Sequence, residues 1–536
     1  MLKIEIFNTF IKIKYDKFNH IIQSIINQLT FDYNIAKTIE IDTRLEVTNK
    51  LYELYKHNKE IKQLVVPYGA LKYVLRLCNN FNIKHELVNR QINNGVDLIS
   101  LKLTADMKPR EYQELYIRKL IEPTLSRFLL VDLKPGAGKT FIAVNVALRL
   151  KKRIALIILP KYIDKWIDDF KKYCGISKKK IRIIQGLDSI RNVIEGERVT
   201  EDVVICSVRT CTLYIEQQNK DQDTKPITLF FNKANIGTAI LDEVHQETFA
   251  VARILMYSNI YKVIGLSATF MPNHDEESRL YGTLFKDNER LSNLVTFEKY
   301  INIYGIKYLA RELNTNYIKN RVFGNYGYSH VKMEQIIGRT DKFLIPYFEM
   351  IYNKLEIFFI NEYKNKDKCL IYFSLVDFCT RFQDWLRNKL REEKIKLKVG
   401  RYIAVDPWEN LLNNNIVITT LGSAGTAVDI PNLTTVINTV VIKSKKLNIQ
   451  NVGRLRQIPD REVNYIYFYT ELHSRTEMIR KQNISHMAKT YIHDTYQLKI
   501  DHSNLFQRSE RPKYTPEQRW EYFKRNNAKY SNYFKK

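Results

Sequence analysis

The chain of 536 residues has few cysteines, few acidic side chains for its length, and no long apolar run. Its six cysteines stand apart and none form a Cys-x-x-Cys pair. We therefore expect neither a disulfide scaffold nor a cysteine zinc site. We expect the protein to be located in a reducing compartment. No stretch approaches the ~18 apolar residues of a membrane span, and the charged N-terminus lacks a signal-type apolar core. These absences predict a cytoplasmic protein without a membrane partner.

Acidic residues are outnumbered, because 85 Lys and Arg face 58 Asp and Glu and give a formal net charge of +27. Such an excess points to a polyanionic partner, above all a nucleic acid. An AT-rich genome would also produce a chain rich in Lys, Asn, Ile and Tyr without any functional reason. The 45% of hydrophobic residues exclude a wholly disordered chain, and the length suits three or four domains.

The first hundred residues predict a small α+β domain of their own. Residues 3–7 and 10–14 alternate apolar and polar side chains around an Asn-Thr turn, which predicts a β-hairpin. Residues 21–29 and 71–78 then carry apolar side chains at helical spacing.

From about residue 104, short apolar runs alternate with helical stretches. This pattern is typical of buried strands in a parallel sheet joined by crossover helices. It resumes near residue 369, after a mostly helical and poorly patterned stretch. The simplest interpretation is an α/β protein with two parallel-sheet units in tandem. The predicted domains are 1–100, 101–330, 331–475 and a C-terminal segment, 476–536.

The end of the chain is basic and aromatic. Residues 505–536 contain nine Lys and Arg, three Glu and eight aromatic side chains. Such a composition suits contact with a phosphate backbone and stacking on bases. A C-terminal helix whose aromatic side chains pack on the second unit is an equal alternative. In contrast, the run Lys178-Lys179-Lys180 is interpreted as a solvated loop.

A phosphate loop is predicted where Leu133-Lys134-Pro135-Gly136-Ala137-Gly138-Lys139-Thr140 joins a strand-like run to a helix-like run. In such a loop, backbone N–H groups surround phosphates at a helix N-terminus. Lys139 is expected to reach the β- and γ-phosphates and the Thr140 hydroxyl to bind Mg²⁺. Leu133 stands where the strict motif has glycine, so this is a relaxed form. The alternative is a glycine-rich turn that precedes Lys-Thr by chance.

A second apolar strand ends in two adjacent carboxylates, Asp242 and Glu243. Beside a phosphate loop on the same sheet, Asp242 is expected to hold the metal ion and Glu243 to polarise the attacking water. Without that loop, an Asp-Glu pair after a strand is usually a solvated loop or a helix start. His245 alone is equally compatible with a packed or a surface histidine.

The order of these motifs resembles the superfamily 2 helicases and translocases, with a DExH-type box at residues 242–245. The resemblance covers about residues 105–470 and implies two RecA-like domains with ATP and Mg²⁺ in the cleft between them. It identifies Gln113 as the reader of the adenine edge. The nucleotide-binding residues that it implies are Arg110, Gln113, Pro135, Gly136, Ala137, Gly138, Lys139, Thr140 and Asp429.

The same resemblance assigns roles to later motifs. Those that couple hydrolysis to movement are Ser267, Ala268 and Thr269. Those that contact nucleic acid are Lys161, Thr212, Ser374, Thr419 and Ser423. The implied catalytic set is Lys139, Asp242, Glu243, Gln450, Arg454 and Arg456. Arg454 matches the first arginine of the sixth motif. The usual place of the second arginine is taken by Gln457, and Arg456 comes one residue early.

The N-terminal hairpin and the run Val66-Pro67-Tyr68-Gly69 resemble the N-terminal domain of phage UvsW-type recombination helicases. This resemblance implies an ATP-dependent DNA helicase that remodels branched or forked DNA, by branch migration or fork regression. It also implies a DNA-recognition role for residues 1–100 and, for a phage protein, location in the host cytoplasm.

Other functions share the same motifs. An RNA helicase or a transcription-coupled NTPase of the same superfamily is the nearest alternative, because the core motifs do not separate DNA from RNA. A non-catalytic nucleic-acid-binding protein with a degenerate core would not need all of Lys139, Asp242, Glu243 and Arg454. A nuclease-linked motor would need a nuclease partner. No motif indicates a particular protein partner.

Overall fold

The structure is a computed structural model, and it describes most of residues 1–500. The residues outside the description are 39–44, 99, 123–126, 134–135, 222, 269, 271–274, 293, 297, 311–312, 314, 325–326, 365, 404–405, 408, 424–429 and 501–536.

The N-terminal part is a mixed five-stranded sheet with two helices and a separate two-stranded ladder. Its elements are β1 (Leu2–Ile6), β2 (Phe10–Tyr15), α1 (His20–Gln28), β3 (Thr30–Thr38), β4 (Leu45–Glu53), β5 (Lys56–Asn58), β6 (Gln63–Pro67), α2 (Leu71–Asn80) and β7 (His85–Asn89). The sheet order is β5-β6-β2-β1-β7, and β3 pairs with β4. The predicted hairpin is confirmed, since β1 and β2 are antiparallel neighbours. Helix α1 begins where the Asn19 side chain accepts two backbone N–H groups.

The next part is a seven-stranded sheet in which every pair of neighbours is parallel. Its elements are α3 (Glu111–Ile121), β8 (Phe128–Asp132), α4 (Lys139–Leu150), β9 (Ile154–Ile158), α5 (Ile163–Cys174), β10 (Ile181–Ile184), α6 (Leu187–Glu195), β11 (Val203–Ser207), α7 (Val208–Lys220), α8 (Thr228–Ala234), β12 (Thr238–Leu241), α9 (Thr248–Leu255), β13 (Lys262–Ser267), α10 (Asp275–Leu284) and β14 (Arg290–Leu291). The order is β10-β11-β9-β12-β13-β8-β14. Helices α4 and α5 cover one face, and α6 to α9 cover the other.

A second all-parallel sheet of seven strands follows. Its unit contains β15 (Ile301–Leu309), α11 (Asn316–Val322), β16 (Phe323–Gly324), β17 (Gly327–Tyr328), α12 (His330–Ile337), α13 (Asp341–Leu355), β18 (Lys368–Phe373), α14 (Val376–Glu392), β19 (Val399–Tyr402), α15 (Glu409–Asn413), β20 (Ile416–Thr420), β21 (Leu433–Asn438), α16 (Lys445–Val452), β22 (Val463–Tyr469), α17 (Ser474–Ile484) and β23 (Ala488–Gln497). The order is β19-β20-β18-β21-β22-β15-β23. The predicted α/β class, with two tandem RecA-like sheets and a small α+β part before them, is confirmed.

Two predicted boundaries differ from the structure. Strand β15 belongs to the second sheet, so the predicted boundary at residue 330 falls inside the second unit rather than before it. Strand β23 pairs with β15, so at least residues 488–497 of the predicted C-terminal segment also belong to that sheet. Both strands pair with strands that are distant in the sequence, and local sequence patterns do not reveal such pairing.

Among the described residues, the N-terminal part shares its hydrophobic core with the first parallel sheet. Apolar side chains from its sheet, from α6 to α10 and from β8 form one continuous buried cluster. Tyr68 stacks on Phe128 with ring centroids 5.7 Å apart. A Cβ on Gly69 would lie only 1.8 Å from the carbonyl oxygen of Thr283, so the two backbones touch. Residues 1–90 and the first parallel sheet therefore pack as one body.

The strand directions determine where the functional motifs meet. The phosphate loop, Lys161, Asp242 and Ser267 all follow or end parallel strands of the first sheet, so they lie at its carboxyl edge. Across the described residues, no helix combines the length and the apolar character needed to span a bilayer.

Candidate active site

The described part of the phosphate loop has the backbone shape that close approach to an anion requires. Gly136 and Gly138 have φ angles of 82° and 73°, in the left-handed region that favours glycine. Gly138 directly precedes α4, so the first N–H groups of that helix point towards the loop. A Cβ on Gly138 would lie 2.4 Å from the side-chain nitrogen of Gln113, so any other residue here would displace Gln113 as well as strain the backbone.

Gln113 joins the predicted adenine motif to the phosphate loop. Its Oε1 accepts from the Arg110 backbone N–H at 3.0 Å, and its Nε2 donates to the Ala137 carbonyl at 3.4 Å. The Tyr112 hydroxyl donates to the same carbonyl at 3.0 Å. The start of α3 therefore orients the loop that follows β8.

The carboxylate of Asp242 is held by donors from two sides. Its Oδ1 accepts from the Glu243 N–H at 3.0 Å, and its Oδ2 accepts from the Trp166 indole N–H at 2.8 Å. The Lys165 ammonium lies 3.7 Å from Oδ2. With 6% of its side chain exposed, Asp242 is fixed in orientation at the edge of the sheet.

Glu243 is mostly buried beside Asp242, and its Oε2 lies 3.4 Å from the Nδ1 of His245. Burial, and secondarily the neighbouring Asp242, raise the pKa of the Glu243 carboxyl above its usual range. Its Oε2 is buried without a hydrogen-bond donor among the described residues. Its backbone φ of 46° is in the left-handed region, which is uncommon for a residue with a side chain and occurs often at functional sites.

Lys139 begins α4 and lies between these carboxylates and the loop. Its ammonium donates to the Leu133 carbonyl at 2.9 Å. Burial lowers the pKa of Lys139, while the negative charges of Glu243 and Asp242 act in the opposite direction. The ammonium is therefore placed at the point where a phosphate group would bring further negative charge.

His245 connects the two parallel-sheet units. Its Nδ1 lies 2.8 Å from the Ser267 hydroxyl, and its Nε2 lies 3.4 Å from the Gln450 amide nitrogen on α16. Burial lowers the pKa of His245 to about 2, so the ring is neutral at physiological pH. A neutral ring that accepts from Gln450 at Nε2 carries its proton at Nδ1 and donates it to Ser267. The sequence left the role of His245 open, and the structure makes it a link between units.

The two arginines of the sixth motif differ in position. Arg454 is 5% exposed and lies beside the buried Tyr372 of its own unit. Arg456 is partly exposed and crosses the cleft, because a Cβ on Gly136 would lie 2.6 Å from its Cδ. Its guanidinium donates to the Gly453 carbonyl. Arg456, the residue that is out of register, is therefore the arginine against the phosphate loop.

A cavity of about 570 Å³ joins these groups and is lined by both units. This volume lies within the range of small-molecule sites. Sequence patterns missed four of its charged side chains, Lys108, Lys165, Asp169 and Lys172. Of these, α5 places Lys165 and Asp169 one turn apart. Burial raises the pKa of Asp169 to about 6, although Lys165 opposes the shift. The sequence signal that could have identified this pair is the Lys-x-x-x-Asp spacing, which puts both side chains on one face of a helix.

The residues present fit ATP and Mg²⁺. The glycine loop and the helix N-terminus form a cradle for phosphates, and Lys139 supplies positive charge. Mg²⁺ is commonly held by one or two carboxylates together with substrate phosphates and water, and Asp242 with Thr140 offers such a partial ligand set. Within the described ranges, no cluster of three or more His, Cys, Asp and Glu side chains forms a separate metal site.

The predicted nucleic-acid contacts lie at the carboxyl edges of both sheets. Lys161 is exposed beyond β9, and Thr212 is half-buried on α7. Ser374 is half-buried, and its backbone N–H donates to Glu334 at 2.8 Å. The Ser423 hydroxyl lies 2.9 Å from that of Thr420. These four keep their predicted role as a proposal.

Thr419 does not agree with its predicted role. Its side chain is fully buried, and its hydroxyl donates to the Tyr402 carbonyl at 2.5 Å. Because this hydroxyl is buried and already donates to a backbone carbonyl, it does not reach a nucleic-acid strand on the surface. Other predicted residues, namely Pro135, Thr269, Asp429 and the tail from 505 to 536, lie outside the described residues, while Ala268 lines the cavity.

A comparison with protein families now adds to this geometry. Residues 106–271 match the model of the family described as Type III restriction enzyme, res subunit. The match spans α3 to the end of β13, so the matched segment contains the glycine loop, the acidic pair and Ser267.

Curated relatives resemble this chain over short stretches. The Saccharomyces cerevisiae general transcription and DNA repair factor IIH helicase/translocase subunit XPB/SSL2 is 24% identical over 180 residues, which is 32% of this chain and 20% of that protein. The Danio rerio XPB subunit is 24% identical over 249 residues, which is 45% of this chain and 27% of that protein. The chain thus spans about a fifth to a quarter of these relatives.

Solved structures align over more of the chain but only loosely. The crystal structure of T4 UvsW covers 93% of this chain and 100% of that chain, with 15% identity and a TM-score of 0.36. Saccharomyces cerevisiae Dbp5 bound to RNA and ADP BeF3 covers 74% of this chain and 91% of that chain, with 13% identity and a TM-score of 0.46.

Proposed function

We propose that the protein is an ATP-dependent DNA helicase or translocase that remodels branched or forked DNA. The observation that carries the proposal is the arginine against the glycine loop. Arg456 comes from the second unit, whereas Gly136 and Lys139 belong to the first. A site completed only across a cleft makes hydrolysis depend on closure of that cleft, as a motor requires.

The residues divide the chemistry as follows. Backbone N–H groups at Gly136 to Thr140 bind the phosphates, and Lys139 neutralises their charge. Asp242 and Thr140 would hold Mg²⁺, which would supply charge stabilisation at the phosphoryl group. Glu243 orients water for in-line attack through its open Oε2, and Arg456 stabilises charge that develops on the phosphoryl group. His245 and Gln450 transmit the state of the cleft between units.

The grip on nucleic acid is proposed to be independent of sequence. Lys161, Thr212, Ser374 and Ser423 lie along the carboxyl edges of both sheets, where a strand could cross the cleft. The net charge of +27 supports binding through phosphate groups, which weakens as salt rises.

The XPB relatives favour one alternative. Their printed descriptions include general transcription, so a transcription-coupled translocase or an RNA helicase of the same superfamily remains a second candidate. The deciding experiment compares ATP hydrolysis with forks, Holliday junctions, linear duplex, single-stranded DNA and RNA. Strongest stimulation by forks and junctions supports our proposal. Strongest stimulation by RNA or linear duplex supports the alternative.

The first prediction concerns Lys139. Lys139→Ala is expected to lower ATP hydrolysis about 100-fold or more, because it removes the ammonium that α4 places beside the loop and the two carboxylates. DNA affinity without nucleotide should stay close to the unmodified protein, since the loop is separate from the predicted strand contacts. Steady-state ATPase rates and fluorescence anisotropy measure the two properties. Lys151→Ala, at the other end of α4, is the control. Turnover retained by Lys139→Ala would overturn the site assignment.

A further inference from the structure

Two hydrogen-bonded pairs of side chains connect the segment after β9 to the segment after β12. In the first, the Trp166 indole N–H donates to Asp242 Oδ2 at 2.8 Å. In the second, the Tyr162 hydroxyl lies 3.1 Å from Oε1 and 2.9 Å from Nε2 of Gln246.

Trp166 is not available to a nucleic-acid strand. Its side chain is fully buried among apolar residues of the first sheet, with its ring 6.0 Å from that of Phe170. A buried indole N–H normally requires an acceptor, and here the acceptor is the proposed metal ligand. Hydrogen-bond partners of metal ligands fix ligand orientation, and their loss commonly costs about 10- to 100-fold in metal affinity.

Tyr162 and Trp166 share one face of the same helical segment. The turn Pro160–Tyr162 runs directly into α5, so positions 162 and 166 are one turn apart. Gln246 is likewise tied to the acidic segment, because its N–H donates to the Glu243 carbonyl at 2.8 Å. A displacement of residues 160–166 therefore acts on the acidic segment at both of its ends.

Lys161 lies between the two anchors and is exposed. A strand that binds Lys161 acts on a turn whose neighbouring side chains reach Asp242 and Gln246. We propose that Tyr162 and Trp166 are positioning residues that link strand binding at Lys161 to the orientation of the Asp242 carboxylate. This inference rests on the proposed function. It adds a physical route by which nucleic acid stimulates hydrolysis.

The first test removes the indole donor and keeps an aromatic ring. Trp166→Phe is expected to raise the Mg²⁺ concentration needed for half-maximal binding of a fluorescent ADP analogue about 10-fold. Binding of the analogue in EDTA should not change, since the donor acts through the carboxylate. Trp385→Phe, whose ring stacks on Phe382 in the second unit, is the matched control. An unchanged Mg²⁺ dependence in folded Trp166→Phe would overturn the link to Asp242.

The second test uses the buried Tyr162, from which only the hydroxyl is removed, and the partly exposed Gln246. It is decisive even if Trp166→Phe fails to fold. Tyr162→Phe and Gln246→Ala are each expected to lower the ratio of DNA-stimulated to basal ATPase several-fold. The double variant should be no worse than either single one, because both substitutions break one connection. Additive losses, or ratios equal to that of the unmodified protein, would contradict the coupling route.

Failure of the proposed function is distinguishable from failure of this inference. A protein that shows no stimulation by any nucleic acid would refute the motor. The Mg²⁺ dependence of nucleotide binding by Trp166→Phe would still decide whether the indole positions Asp242.

Discussion

Burial determines the charge state of several side chains around the cleft. An isolated buried carboxylate is unfavourable, so its pKa rises, while a buried imidazole loses its proton more easily. Both effects occur within one site, at Glu243 and at His245. The site therefore combines a carboxyl group of raised pKa with a neutral histidine, and both are chemical properties that the motif letters do not specify.

Asp169 gives a pH-dependent prediction. Its pKa of about 6 lies above the ordinary value of 3.8, so the folded chain holds an extra proton between these values. Its contribution to stability is thus unfavourable at pH 8 and improves as pH falls towards 4. At pH 8, the free energy of unfolding of Asp169→Asn should therefore exceed that of the unmodified protein by up to ~3 kcal/mol, and its melting temperature should be higher. Near pH 4 the two proteins should not differ.

Thermal unfolding without nucleotide, at pH values from 4 to 8, measures this effect. The exposed neighbour Asp168 supplies the control, as Asp168→Asn removes the same formal charge outside the cavity. A stability gain for Asp169→Asn that does not change with pH would contradict the assignment.

Among the site residues, the sequence predicted those that belong to one short, contiguous motif. The glycine loop, Asp242 and Glu243 lie in short contiguous motifs, and the structure brings them together. Lys165 and Asp169 were missed because a helix from another part of the sheet carries them into the cavity. Thr419 was misassigned because motif position does not reveal burial.

Helix α16 and the loop after it deliver the sixth motif to the cleft. Because Arg456 reaches the glycine loop, Arg456→Ala is expected to lower ATP turnover about 1000-fold without changing the melting temperature. Arg456→Lys should recover part of the rate, since it keeps the charge but not the planar donor group. Steady-state ATPase rates and thermal unfolding of both variants provide the test.

Arg454 provides the contrast within the same motif. It is buried beside Tyr372 of the second unit and also lines the cavity, so Arg454→Ala should lower the melting temperature as well as the rate. If instead only Arg454→Ala lost turnover while Arg456→Ala kept it, the positions inferred for the two arginines would be reversed.

The backbone N–H groups just before helix α14 donate to a carboxylate on another helix, α12. Both oxygens of the buried Glu334 accept backbone N–H groups, from Ser374 at 2.8 Å and from Leu375 at 2.7 Å. Glu334→Ala leaves these donors without their acceptor and should destabilise the second unit by about 2–4 kcal/mol. Thermal unfolding measures the loss, and the exposed Glu392→Ala on α14 is the control, expected to change stability by less than about 0.5 kcal/mol.

Most elements were predictable because their patterns are local. Helices α1 and α2 and the apolar strands of both sheets lie where periodicity placed them. Strands β15 and β23 were not assigned, since their neighbours are distant in the sequence and Ile301–Leu309 lies within a poorly patterned stretch.

At the scale of the whole molecule, the continuous core predicts cooperative unfolding. Ile13, in the N-terminal sheet, and Ile254, on α9, are both fully buried in it. Ile13→Ala and Ile254→Ala should each cost about 2–4 kcal/mol and shift the same calorimetric transition. Ile418→Ala, buried in the second sheet, should shift a different transition. Separate transitions for the first two variants would show that the N-terminal part unfolds independently.

The shared core also defines how motion is best observed. With the N-terminal sheet attached to the first parallel sheet, a dye on residue 76 of α2 and another on α6 should report a constant separation throughout the ATP cycle. A dye on α6 paired with one on α14 should report every opening and closing. The distance between α6 and α14 would then report opening and closing in each ATP cycle. The constant distance between α2 and α6 would serve as the internal reference.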